Sequence, residues 1–232
     1  MSQKAQNIRF ITMQKKYEAV LFDLDGTLVD SFAFHSEVTY RFLTNQGFQV
    51  DREQVKRNIG NTIEHVLNGC HIPGECQPGI IREFDAYYVT HAADLLEQVV
   101  FEPSGLKLVK RLKNAGIKTG IVTNSKQALV EEIIRRNHAE ALFDIASGAE
   151  TDSINKESRC KDVLTALRAA ADRTLYVGDT KYDVRLAGKC GMDVCILCHE
   201  FGWEKDYAAL QEMYHPEYMA DSLAKIVELV LY

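Results

Sequence analysis

The run Tyr17-Glu-Ala-Val-Leu-Phe22 is apolar except for Glu18 and stops abruptly at Asp23-Leu-Asp25-Gly26-Thr27. A strand with apolar residues on both of its faces has to be covered on both sides, which is the condition of a parallel sheet flanked by helices. Gly, Asp and Thr are turn formers, so the strand ends there and leaves two carboxylates at its carboxyl end. The same rhythm returns later in the chain. Residues 104–116 form an amphipathic helix with Leu108, Val109 and Leu112 on one face and Gly116 as its stop signal. The pattern then predicts a strand over 117–123, a helix over 125–137 and a short strand over 142–146. A helix over 157–171, a strand over 175–178, a helix over 183–189 and a last strand over 193–197 follow. Strands alternating with helices predict an α/β fold, a doubly wound parallel sheet with helices on both faces.

Residues 30–101 break this rhythm. Amphipathic stretches at 34–46, 52–58 and 80–97 follow one another without a convincing strand, and they read as a helical insert. There is no internal repeat, no G-x-G-x-x-G and no Walker-type glycine loop, so dinucleotide and P-loop chemistry lose support.

Composition narrows the partners. A chain of 232 residues, 46% hydrophobic and 26% charged with four prolines, is long enough for one sizeable α/β core and a smaller insert. The net charge of −6 supplies no field that would draw nucleic acid, so none is expected as a partner. No apolar run approaches the roughly 18 residues that cross a bilayer, and the apolar C-terminal stretch from Ile226 to Tyr232 is amphipathic. The apolar stretch at Phe10 and Ile11 is too short for a signal peptide, so no membrane partner and a cytoplasmic address are expected. The oligomeric state is not legible. Six cysteines without a secretory signal read as reduced thiols. Cys190, Cys195 and Cys198 have a C-x4-C-x2-C spacing found at iron–sulfur sites, and Cys195 to His199 fits a haem-attachment pattern. In a buried strand over 193–197, however, cysteine behaves as a small hydrophobe, and Cys195 and Cys198 turn away from one another.

In an open parallel sheet, ligands bind beyond the carboxyl ends of the strands. Asp23 and Asp25 end the first strand, Thr123 and Asn124 the second, and Asp179 with Asp183 follow the fourth. Taken singly, Asp-Gly and Gly-Asp are ordinary turn pairs, but their meeting at three strand ends is not ordinary. Three aspartates in one crevice repel unless protonated or bridged by a cation, and hard oxygen ligands suit Mg2+.

The stretch Asp23-Leu-Asp-Gly-Thr-Leu-Val-Asp-Ser31 resembles motif I of the haloacid dehalogenase-like hydrolase superfamily. Thr123-Asn124 after Gly120-Ile-Val looks like its motif II, Lys156 falls where motif III supplies a lysine, and Gly178-Asp-Thr-Lys-Tyr-Asp183 looks like motif IV. The resemblance runs from Tyr17 onward and implies a Rossmann-like core with a helical cap inserted after motif I. The implied division is a leader at 1–16, a core of 17–31 with 101–232, and a cap at 32–100. Phe201-Gly-Trp203 and residues 216–223 look most like phosphoglycolate phosphatase-type members, and a small phosphorylated metabolite is the implied partner.

The chemistry follows from the residue types. Phosphate monoesters hydrolyse extremely slowly unaided, so a site must supply a positioned nucleophile and dense positive charge. Asp23 can attack phosphorus to give an aspartyl-phosphate, and Asp25 can protonate the leaving oxygen and then deprotonate the attacking water. Mg2+ would be held by Asp23, the Asp25 backbone carbonyl and Asp179, while Thr123, Asn124 and Lys156 bind phosphoryl oxygens. The family usually follows the lysine with proline, but Glu157 stands here, and Lys161 one turn later is a second candidate. Asp183 is either a helix cap or an outer support to the ligands. His35 stands where related hexose-phosphate mutases carry histidine, and is otherwise a surface helix residue. His35, Asn61 and Thr62 are candidates for cap specificity. The acid at position 25 separates the chain from the dehalogenase and phosphonatase branches. A β-phosphoglucomutase-like activity is an alternative, although Ile63 stands where mutases carry a second phosphate-binding arginine. A non-catalytic binding module and a cysteine-based redox protein are further alternatives.

Overall fold

The computed structural model describes residues 16–60, 62–92, 96–150 and 155–232. The buried run near the start forms β1 (Ala19–Phe22), after which four helices intervene: α1 (Phe32–Asn45), α2 (Arg52–Asn58), α3 (Ile63–Gly69) and α4 (Gln77–Ala92). Then come α5 (Pro103–Asn114), β2 (Lys118–Lys126), α6 (Gln127–Arg136), β3 (Ile145–Ala149), α7 (Lys156–Leu167) and β4 (Thr174–Gly178). The chain ends with α8 (Lys181–Cys190), β5 (Asp193–Leu197), α9 (Tyr207–Tyr214), β6 (Tyr218–Ala220) and α10 (Leu223–Leu231).

The six strands form one sheet in the order β3-β2-β1-β4-β5-β6, with every pairing parallel. The strand alternation expected of a doubly covered sheet is explicit. Val20, Phe22, Leu175, Val177, Cys195 and Leu197 share one apolar cluster with residues of α5, α6 and α10. Leu21, Tyr176, Val194 and Ile196 share the other with α7, α8 and α9. Cys195 and Cys190 thereby fall into opposite layers, and among the described residues no metal-ligating group includes a cysteine.

The insert has its own core of Phe42, Leu43, Val55, Val66, Leu67, Cys70, Ile72 and Ile80. It leaves and re-enters the sheet domain at one place, where Val29 and Phe101 form an antiparallel bridge and Glu102 N–H donates to the Leu28 carbonyl. No helix is long and apolar enough to cross a membrane, among the described residues.

Several boundaries differ from expectation. β5 is not the last strand, because the three-residue β6 adds beside it, too short to show a period. The strand expected at 142–146 is β3, three residues later, because Leu142 and Asp144 are held by Thr119 instead: its hydroxyl donates to the Leu142 carbonyl and its amide to Asp144. β2 runs on through Lys126 and takes Ser125 from the expected helix. The long helix expected at 80–97 begins at Gln77 and ends at Ala92, with a separate 3-10 turn at Leu96–Gln98. The short α3, capped by Thr62, went unpredicted. Most of the leader, residues 1–15, lies outside the described residues.

Candidate active site

β1 pairs with β2 on one side and β4 on the other, so the strand order reverses between β1 and β4, where open α/β sheets bind ligands. The register places Phe22 opposite Ile121 and Val177, which brings the carboxyl ends of three strands level. The Asp23 amide donates to the Val177 carbonyl at 2.8 Å and fixes the first residue beyond β1.

Asp23, Asp179 and Asp183 each offer a carboxylate oxygen, and these atoms lie within 4.8 Å of one another. One cation answers two of them: Lys156 Nζ donates to Asp23 Oδ1 at 2.9 Å and Asp183 Oδ1 at 3.1 Å. Lys156 is the first residue of α7, whose cap Asn155 accepts the Ser158 amide, and it lies 5.5 Å from the Tyr176 ring centroid. Lys161, the other candidate, is paired with Glu157 on the exposed side of α7. Burial pushes the Asp23 carboxyl up to about 7; Lys156 opposes this, and the carboxylates of Asp183 and Asp25 add to it. Burial and the nearness of Asp183 and Asp23 likewise raise Asp179 well above the carboxylate range. Burial lowers Lys156, but the charges of Asp183 and Asp23 outweigh it and hold the ammonium well above its ordinary range. Three carboxylates facing one ammonium form a hard-oxygen set short of positive charge, and such a set fits a divalent cation. Asp183 also closes the capping box of α8, its Oδ2 accepting the Thr180 amide and hydroxyl, so it is at once a cap and a member of the acid cluster.

Asp25 lives in a different environment two residues away. Its Oδ1 accepts from the Ser31 hydroxyl at 2.7 Å and meets His35 Nε2 at 2.8 Å, while Oδ2 accepts from the hydroxyls of Ser125 at 2.5 Å and Thr123 at 3.3 Å. Although burial acts in the other direction, His35 and the Ser125 and Ser31 hydroxyls hold it well below the usual carboxylate range. His35 in turn meets the Tyr88 hydroxyl through Nδ1, so α1 reaches Asp25 directly and α4 is linked to it through His35. Thr123 is buried and Asn124 exposed at the end of β2. Thr62 is exposed, with its hydroxyl accepting the His65 amide, and Asn61 lies outside the described residues.

Three residues of this site were not foreseen. Arg159, 8% exposed, donates to the Thr123 carbonyl at 2.7 Å and to Asn124 Oδ1 at 3.1 Å. It lies on the buried stripe of α7, and an arginine in an otherwise apolar stripe is a signal in itself. Ser125 was masked by the expectation of a helix there. The Trp203 amide donates to Asp179 Oδ2, and no local periodicity around it marks that contact.

A Rossmann-like sheet with crowded carboxylates at its switch point defines an α/β enzyme core built around an acid site. The chain belongs to the haloacid dehalogenase-like hydrolase family, whose profile matches residues 20–197. It is 26% identical over 227 residues to a phosphoglycolate phosphatase of Colwellia psychrerythraea, covering 93% of this chain and 97% of that one. It is 25% identical over 220 residues to the pyrophosphatase PpaX of Bacillus thuringiensis, with coverage of 93% and 97%. Among solved structures, a haloacid dehalogenase-like family protein from Streptococcus pneumoniae superposes with a TM-score of 0.78 at 20% identity, covering 92% of this chain and 98% of that one. CbbY from Rhodobacter sphaeroides in complex with phosphate gives 0.72 at 19% identity, covering 90% and 96%.

Proposed function

We propose that this chain is a Mg2+-dependent phosphatase that hydrolyses a small phosphate monoester, phosphoglycolate-like, a sugar phosphate or a nucleotide, through an aspartyl-phosphate on Asp23. The observation that carries this is the split between two neighbouring carboxylates. Asp23 faces Lys156 and the acid cluster, whereas Asp25 is turned to Ser31, His35 and Ser125. Carboxyl groups with opposed environments take opposed roles.

Asp23 forms a bond from Oδ to phosphorus as the ester oxygen departs. Asp25 is an anion before substrate enters, and the arriving phosphate charge raises its pKa so that it carries the proton the leaving oxygen needs. The same carboxylate then takes a proton from the water that attacks phosphorus and frees Asp23. Thr123, Asn124 and Lys156 bind the phosphoryl oxygens, and Arg159 holds the first two in place. Mg2+, held by Asp23, Asp179 and the Asp25 carbonyl with Asp183 alongside, would neutralise negative charge between nucleophile and phosphate.

Residues 32–100 serve as a cap that covers the site, joined through the Val29–Phe101 bridge. Ile63 packs against the insert's own core and carries no charge for a second phosphate, which disfavours a mutase. A cytoplasmic setting suits a metabolite substrate. The test is Mg2+-dependent phosphate release from a compact ester such as phosphoglycolate, combined with acid-quench trapping of labelled protein. The expected result is label on the native chain and none on Asp23→Asn. Release that persists in a folded Asp23→Asn protein overturns the mechanism.

A further inference from the structure

Trp203 is the only tryptophan of the chain, and it stands between the two halves of the site. Its backbone N–H is tied to Asp179. Its ring spans from the motif I loop to the insert: a Cβ on Gly26 would lie 2.6 Å from Cδ1, and one on Gly60 would lie 3.0 Å from Cε3. Both glycines have positive φ, +72° and +97°, so the close approach and the backbone shape demand glycine together. The indole stands edge-on to His35, with centroids 5.2 Å apart, and His35 touches Asp25. The indole Nε1 is buried without a hydrogen-bond partner among the described residues, so the ring is held in place by packing alone.

A leaving oxygen has to come within hydrogen-bond reach of Asp25 to be protonated. Its substituent then has to lie beside His35 and the indole, which packs against Gly26, His35 and Gly60. We propose that Trp203 sets substrate size, walling the leaving-group space so that the site accepts esters of compact alcohols of a few carbons and turns away hexose, aryl and nucleoside esters. This rests on the phosphatase reading above. The Asp179 bond fixes the backbone that carries the indole, and packing against Gly26, Gly60 and His35 limits how far the ring can turn.

The experiment measures kcat/KM for phosphoglycolate, glucose 6-phosphate, p-nitrophenyl phosphate and a nucleoside monophosphate in the native chain, Trp203→Phe and Trp203→Ala. The ratio of bulky to compact esters is expected to rise by about tenfold or more in Trp203→Ala and by less in Trp203→Phe, as for other changes in pocket volume. An equal fractional loss on every ester in both folded variants overturns the proposal and leaves Trp203 as a support for Asp179. Should Trp203→Ala fail to fold, Trp203→Phe is judged by the same ratio. Emission from the single tryptophan in Asp23→Asn then supplies a second readout. It is expected to shift when phosphoglycolate is added with Mg2+ and to shift less with glucose 6-phosphate, and equal responses or none overturn the proposal. Failure of the native chain to release phosphate from any ester, or full activity in Asp23→Asn, would instead fail the phosphatase reading itself.

Discussion

The two ends of the sheet treat charge in opposite ways. At the amino end, Tyr17 before β1 donates its hydroxyl to Asp193 at the start of β5, and Lys16 pairs with the same carboxylate at 3.2 Å. Tyr218, at the start of β6, closes that group with bonds to Tyr17 and Lys16. One carboxylate has one ammonium and two phenols, and the account balances. At the carboxyl end, Asp23 and Asp183 share Lys156, while Asp179 is met by the Thr27 hydroxyl and the Trp203 amide. A polar cluster that satisfies itself stabilises the fold, whereas one that stays short of charge is prepared for a ligand.

The comparison is tested most severely at Asp23. Asp23→Asn should abolish turnover by a factor of about 10³ or more. If like-charge crowding is real, the same change should also raise the melting midpoint of the metal-free protein by about a few degrees. A folded variant that melts lower without metal would show that Asp23 contributes to stability as Asp193 does, and the contrast between the two ends would be lost. Arg159→Met comes next. It leaves the acids untouched but releases the Thr123 carbonyl and the Asn124 side chain. A loss of about 10²-fold in kcat/KM is expected from misplaced phosphate donors, with Arg159→Lys recovering only part of it. A full recovery by lysine would mean that charge alone matters there.

At the other end, Tyr17→Phe removes a buried hydroxyl from Asp193 and should lower stability by about 1 kcal/mol. Thermal melting reads that loss, and kcat should not change. A drop in kcat with unchanged stability would mean that the two ends communicate through β1.

The sheet was legible because β1, β4 and β5 are buried on both faces, and the acid cluster was legible because turn-forming aspartates stand at the ends of such strands. What escaped was set by contacts distant in sequence. β6 has three residues and takes its place from pairing with β5. Ser125 was assigned to a helix because its register with β3 is broken by an irregularity between Val122 and Lys126. Thr62 looked like a specificity residue from its place in the insert, yet its hydroxyl is occupied in capping α3, and Gly60 is the residue that meets Trp203. His35 was assigned by analogy alone. Its contact with Asp25 depends on how α1 is oriented over the sheet, which no local pattern encodes.

The smallest effect is a linkage between protons and metal at the crowded end. The Asp23 carboxyl rises from 3.8 to about 7 in the folded chain, so between those values the folded state holds a proton that the unfolded state has released. Stability rises with pH only where the unfolded state binds more protons, so this group makes the metal-free protein less stable as pH climbs through that window and has no further effect above it. Asp179 shifts in the same direction. Asp25 is displaced downward, so its window lies below the ordinary carboxylate value and does not overlap. A divalent cation must displace the proton on Asp23, so it binds weakly in acid and more tightly as the carboxylate forms. The Mg2+-induced rise in melting midpoint should therefore be slight at about pH 5.5 and grow by about a few degrees at about pH 8. Asp23→Asn should flatten that growth, whereas Tyr17→Phe should leave it intact. A Mg2+ shift that is the same at both pH values in the native chain would mean that the cation does not compete with these protons, and the charge deficit at the carboxyl end would have to be met in some other way.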